Sequence, residues 1–138
     1  MPEMLKFELV SPTRLVKSEL VEMVVVPCTE GDIGVLAGHS PLIAMVRPGV
    51  IDIHEGGRVT ESIFVAGGFA EVGPEGCTVL AEEAVAVADI QRATVDARKA
   101  KATEALAGAG TDKERQAAEA DVRVADAMLD AIERKTKH

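Results

Sequence analysis

From Leu5 the chain alternates apolar and charged residues, Leu5-Lys6-Phe7-Glu8-Leu9, with the two-residue period of a strand that buries one face and wets the other. The same reading applies to Val50-Ile51-Asp52-Ile53-His54 and to Val59 through Val65, separated by Glu55-Gly56-Gly57-Arg58. Two adjacent glycines supply the positive φ angles of a tight turn, so the segment predicts a β-hairpin. Phe69 to Val72, Gly73-Pro74-Glu75-Gly76 and Cys77 to Ala81 predict a second one. Several short strands with no helical run between them predict an antiparallel sandwich or flattened barrel.

Near Ala88 the period changes to that of a helix. Asp89 is expected to cap the first helix, which has no breaker before Gly108-Ala109-Gly110. Thr111-Asp112-Lys113-Glu114 has the form of a capping box ahead of a second helix reaching about Lys135. The short connection predicts an antiparallel helical hairpin. Its expected apolar stripes are Ile90, Ala93, Ala97, Ala100 and Leu106 on the first helix, and Ala118, Val122, Ala125, Leu129 and Ile132 on the second. Alanine seams bury little area. They suit a stable surface hairpin and equally a mobile one whose helices persist when undocked.

Composition sharpens the boundary. All six prolines and ten of the twelve glycines fall at or before Gly76. Residues 1–88 hold 5 basic and 13 acidic side chains, and residues 89–138 hold 10 of each, so the net charge of −8 belongs to the first part. The expected organisation is therefore α+β in sequence order, with an N-terminal antiparallel β-sandwich over 1–87 and a C-terminal antiparallel two-helix hairpin over 88–138. With no Trp or Tyr, three Phe and a pI near 4.9, the chain lacks the stacking platforms and basic clusters of nucleic-acid binders. No apolar run approaches the roughly 20 residues of a spanning helix, and the N-terminus has no signal-like core.

Candidate chemistry is sparse. His39, His54 and His138 lack zinc-site spacing, and no P-loop or GxGxxG motif is present. Cys28 and Cys77 form no CxxC pair and read as ordinary buried thiols. The Glu82-Glu83 pair reads as solvated charge, and Gly67-Gly68 as a bulge or close backbone approach. No catalytic residue and no metal site is expected. The segment Glu30-Gly31-Asp32-Ile33-Gly34-Val35-Leu36-Ala37-Gly38-His39-Ser40-Pro41 is expected to be a structured loop exposing Asp32 and His39. It is either a tight strand connection or a docking loop.

That segment with Leu42, together with Arg47-Pro48-Gly49-Val50, Val65-Ala66-Gly67-Gly68-Phe69-Ala70-Glu71-Val72 and Thr78-Val79-Leu80-Ala81-Glu82, resembles the epsilon subunit of bacterial F-type ATP synthases in order and spacing. Ala37 stands where the family commonly has Pro. The resemblance implies a non-catalytic central-stalk subunit, peripheral on the cytoplasmic face of the bacterial inner membrane, that couples the gamma subunit to the c-ring in proton-driven ATP synthesis. It implies c-ring contact at Asp32 and His39, and gamma contact on one sandwich face including Ser11 and the turn near Val50. It further implies a hairpin able to extend toward the alpha and beta subunits and restrain hydrolysis. Arg98, Lys99, Lys101, Arg115 and Arg123 suit an acidic patch on those subunits and equally a charge-neutral, salt-bridged helix pair. In some members ATP locks the hairpin, through a motif that Asp89, Arg92 and Ala93 match here with Ala88 departing at its first position. Arg123 matches one second-helix arginine, and Asp126 stands nearby. Otherwise no cofactor is implied.

Overall fold

The computed structural model describes residues 3–136, so His138 lies outside the described residues. The chain divides into two compact units, residues 1–86 and 87–138.

The first unit contains β1 (Leu5–Ser11), β2 (Arg14–Val21), β3 (Met23–Cys28), β4 (Gly31–Leu36), β5 (Leu42–Val46), β6 (Gly49–Glu55), β7 (Arg58–Val65), β8 (Gly68–Val72), β9 (Gly76–Ala81) and β10 (Ala84–Ala86). One layer runs β4-β3-β6-β7-β10 and the other β5-β8-β9-β1-β2, joined at a corner where Cys28 pairs with Val46. Leu5, Phe7 and Leu9 of β1, Val24 and Val26 of β3, Ile51 and Ile53 of β6, and Val79 of β9 meet in the core between the layers. Alternation in β1 and β6 thus reports the buried face correctly. Both expected hairpins are present, and Gly56 and Gly57 have φ of 64° and 76°, the paired positive values of a type I′ connection.

One pairing departs from the antiparallel pattern: β1 lies parallel to β9, with Phe7 opposite Cys77. A parallel neighbour requires a long crossover, here everything between β1 and β9, so local periodicity carries no trace of it. The layers are also tied by Lys17 of β2, whose ammonium donates to the Glu61 carboxylate of β7 at 2.7 Å. That hydrogen bond, opposed by partial burial, holds the Lys17 pKa above its ordinary value. Both side chains are partly exposed, so the pair contributes at most about 1 kcal/mol. Cys28 and Cys77 are buried and unbridged. Burial pushes the Cys77 thiol up to about 12 and raises that of Cys28, against the opposing field of Arg47.

The second unit begins with a 3₁₀ turn, Val87–Asp89, followed by α1 (Arg92–Ala107) and α2 (Asp112–Thr136). Asp89 does not cap α1. It closes the 3₁₀ turn, and Gln91 takes the N-cap position at φ −105° and ψ 127° without a side-chain hydrogen bond. Ile90 N–H is spent on the Val87 carbonyl at 3.2 Å, and the helix starts two residues later than expected. The stripe on α1 is also shifted. Val95 and Ala102 are its buried residues, whereas Ala93, Ala97 and Ala100 are exposed. On α2 the buried positions are Ala118, Val124, Ala125, Met128 and Ala131, with Val122, Leu129 and Ile132 only half-buried. With so many alanines, several faces have similar apolarity and the longer side chains decide which is covered. The capping box forms in shifted register: Glu114 N–H donates to Thr111 Oγ1 at 3.1 Å, while the Glu114 carboxylate accepts from Gly110 N–H at 3.2 Å. Lys99 and Asp126 bridge the two helices at 2.7 Å, and that carboxylate raises the Lys99 pKa.

Candidate functional site

Half of the expected loop at 30–41 is a strand, Gly31–Leu36. Ile33 and Val35 are β-branched, and Val35 is fully buried. Residues 31–36 pair with β3 along its whole length, from Cys28–Gly31 to Met23–Leu36. Asp32 therefore lies at the start of β4 and His39 beyond its end, so the structure separates the two rather than joining them on one tip. The strand between Asp32 and Leu36 alone accounts for about 13 Å.

Strand directions sort the connections of the sandwich into two ends. Those at 12–13, 29–30, 47–48, 66–67 and 82–83 share the end that carries Asp32, whereas 37–41, 56–57 and 73–75 lie at the opposite end with His39. At the first end Arg47 organises the surface. Its Nη2 donates to Asp32 Oδ1 at 2.6 Å and its Nη1 to the Cys28 carbonyl at 2.6 Å, so the Asp32 carboxylate is held in place while still largely exposed. Glu30 and Glu82 at the same end are exposed and Glu83 half-buried. At the other end, His39 Nδ1–H donates to the Ser40 carbonyl at 2.7 Å, and Gly38 N–H ties the loop to the Pro74 carbonyl at 2.8 Å.

The outer face of the layer β5-β8-β9-β1-β2 holds a feature that single-strand patterns could not reveal. Register places Met45 beside Phe69, Phe69 beside Leu80, Leu80 beside Val10, and Val10 beside Leu15. Met45, Phe69, Leu80 and Leu15 are 52, 51, 51 and 56 % exposed. Five apolar side chains thus cross five neighbouring strands in one row, about 19 Å long at the usual inter-strand spacing. Ile43 adds to it at 74 % exposure. Each strand contributes one apolar residue, and an isolated exposed apolar residue is unremarkable. Only the register makes a row of them.

Ser11 borders this row. Its hydroxyl donates to the Arg14 carbonyl at 3.3 Å and closes the β1–β2 turn next to Val10 and Leu15. Val50 does not join it: it is the second residue of β6, opposite Phe64 in the other layer, so Ser11 and Val50 do not share a sheet face. In the second unit, Asp89, Arg92 and Ala93 cluster at the start of α1, all exposed. Arg123 does not reach them. The Lys99–Asp126 bridge sets the register of the hairpin, and it places Arg123 about ten residues from the level of Arg92, about 15 Å along the axis. Among the described residues no group of three or more His, Cys, Asp and Glu could hold a metal ion.

Residues 4–87 match the family model described as ATP synthase, Delta/Epsilon chain, beta-sandwich domain. The chain is 54 % identical to the ATP synthase epsilon chain of Paramagnetospirillum magneticum, over 96 % of this chain and 99 % of that one. It is 50 % identical to the ATP synthase epsilon chain of Rhodospirillum rubrum, over 95 % and 98 %. In fold it is similar to a chain of the Euglena gracilis mitochondrial ATP synthase, solved as OSCP/F1/c-ring, with a TM-score of 0.79 at 23 % identity, covering 96 % of this chain and 83 % of that one. A chain from the central stalk and c-ring of the Tetrahymena thermophila enzyme matches with a TM-score of 0.60 at 15 % identity, over 93 % and 96 %. With the sandwich matched from end to end and epsilon chains aligned across nearly the full length, the protein belongs to the ATP synthase Delta/Epsilon chain family, as an epsilon chain.

Proposed function

We propose that the chain works as a non-catalytic central-stalk subunit of a proton-translocating F-type ATP synthase. In this reading the sandwich couples the gamma subunit to the c-ring, and the helical hairpin restrains ATP hydrolysis. The observation that carries it is the exposed apolar row Met45-Phe69-Leu80-Val10-Leu15. A contiguous apolar strip on a soluble face marks a surface that a partner covers, and gamma is the partner assigned to it, with Ser11 at its border.

The c-ring is assigned to the end of the sandwich bearing Asp32, where the carboxylates of Glu30, Asp32, Glu82 and Glu83 outnumber the guanidinium groups of Arg14 and Arg47. His39, at the opposite end, is left out of that contact, and Val50 out of the gamma face. No helix among the described residues is long and apolar enough to cross a membrane. The subunit is placed as a peripheral one on the cytoplasmic face of the bacterial inner membrane, held there by protein partners.

Asp32→Lys tests the ring contact. The substitution faces Arg47 with a like charge, but at an exposed site this changes stability by less than about 1 kcal/mol. In vesicles carrying the reassembled enzyme, proton-driven ATP synthesis is expected to fall severalfold while the chain still assembles with gamma. Unchanged coupling would remove Asp32 from the contact.

The hairpin is assigned the alpha and beta subunits as partners, through Arg98, Lys99, Lys101, Arg115 and Arg123. Lys99 is already spent on Asp126 in the paired state. Undocking the helices frees that cation for an acidic surface, which makes the helix pair and the partner competing occupants of one ammonium. A chain ending at residue 87 should bind gamma normally, and F1 rebuilt with it should hydrolyse ATP severalfold faster than F1 with the full chain. Equal rates would leave the coupling role alone. No nucleotide is assigned to the hairpin, because Arg123 lies about 15 Å from Arg92 along the axis and the carboxylate of Asp126 takes up Lys99 between them.

A further inference from the structure

One step along the same outer face lies a second row. Glu71 of β8 is beside Thr78 of β9, and Thr78 is beside Glu8 of β1, with Ile43 and Ser18 completing the row at its ends. It runs about 7 Å from the apolar row, the distance of two residues along a strand, and the two carboxylate-bearing positions are about 10 Å apart, two inter-strand spacings.

Neither the Glu8 nor the Glu71 carboxylate has a hydrogen-bond or ion-pair partner among the described residues, in contrast to Glu61 with Lys17 and Asp32 with Arg47. The remaining cation on this face, Lys6, is two residues from Glu8 on the same strand and sits opposite Leu20. Lys17 and Glu19 show that this spacing can close into an ion pair, at 3.8 Å, but no such pair joins Lys6 to Glu8.

We infer that the surface covering the apolar row carries two basic side chains about 10 Å apart, paired with Glu71 and Glu8, with a small polar group over Thr78. This rests on the reading that gamma docks on this face and specifies the chemistry of its docking strip. A partner in van der Waals contact with Phe69 and Leu80 displaces water from carboxylates only one row away. Removing water from an ionised carboxylate without supplying a counter-charge costs several kcal/mol, so a partner lacking those cations would be rejected. The apolar row then supplies most of the affinity, while the acidic row fixes which way round the partner lies.

The test measures gamma binding to the full chain by biolayer interferometry at low and high salt. The double variant Glu8→Gln, Glu71→Gln keeps size and hydrogen-bonding capacity. It is expected to bind about tenfold more weakly at low salt and to lose most of the salt dependence shown by the wild type. The variant Glu8→Lys, Glu71→Lys should weaken binding further, about a hundredfold. Phe69→Ser, measured alongside, reports on the face itself. If Phe69→Ser weakens binding while the Gln pair matches the wild type at both salt concentrations, the acidic row has no role and the inference falls alone. If Phe69→Ser binds as the wild type does, gamma docks elsewhere and the inference falls with the reading beneath it. Melting curves by circular dichroism confirm that each variant is folded before it is scored.

Discussion

Gly68→Ala is expected to cost the sandwich about 4 kcal/mol or more, a drop in melting temperature of roughly 16–30 °C for a unit of this size. Gly68 opens β8 at φ +141°, and a Cβ there would lie 1.9 Å from the Leu80 carbonyl oxygen and 3.0 Å from the Ala81 Cα. Both the dihedral and the contact are unfavourable for any L side chain. The obstructing atoms are backbone of β9, so relief requires parting the β8–β9 ladder rather than turning a rotamer. The paired measurement is Gly73→Ala, where a Cβ would meet nothing within 4 Å and the expected change is under about 0.5 kcal/mol. Thermal melts of both variants by circular dichroism decide the matter, and equal melting temperatures would contradict the steric reading.

Leu80→Asp should abolish measurable gamma binding, with a loss of at least about a hundredfold, while leaving the sandwich folded. Leu80 occupies the middle of the apolar row, flanked by Phe69 and Val10, and energetic centres of interfaces concentrate in the middle of the covered patch. A carboxylate placed there is desolvated on docking without a counter-charge. In the free chain the same side chain is half in water, and the change costs only the lower β-propensity of Asp, about 1 kcal/mol. Ile43→Asp, at the end of the face and more exposed, is expected to lose far less. Isothermal titration with purified gamma compares the two. If Leu80→Asp loses less than threefold, the row is not the gamma surface.

The sequence made legible those features that depend on neighbours in the chain. Gly56-Gly57 announced its hairpin because two successive positive φ values have few other residues to supply them. Leu5, Phe7 and Leu9 announced a buried face by simple alternation. Residues 31–36 were harder: two glycines and an aspartate masked a strand whose only strong markers are Ile33 and Val35. The first helix misled in another way, since Asp89 has the chemistry of a cap but is consumed in a 3₁₀ turn, and alanines on every side blurred the buried stripe. Val95 and Ala102 become distinguishable from Ala97 and Ala100 only once the partner helix is present. The candidate surface was least legible of all. Met45, Phe69, Leu80, Val10 and Leu15 come from five strands and are spread over 71 residues, and nothing but inter-strand register brings them into line.

The parallel pairing of β1 with β9 also sets an order of events during synthesis. Phe7 must wait for Cys77, its partner 70 residues later in the chain, and closing a loop of that length costs about 4 kcal/mol of chain entropy before the contact is rewarded. While the ribosome is still producing β3 to β8, the β1–β2 hairpin has no neighbour on its inner edge. A lone hairpin is marginal in water. The nascent chain therefore completes the sheet only after Ala81 has left the exit tunnel. The apolar row proposed as the gamma surface needs β9 between β8 and β1 and exists only from that moment, so topology alone keeps a half-made subunit from docking through it.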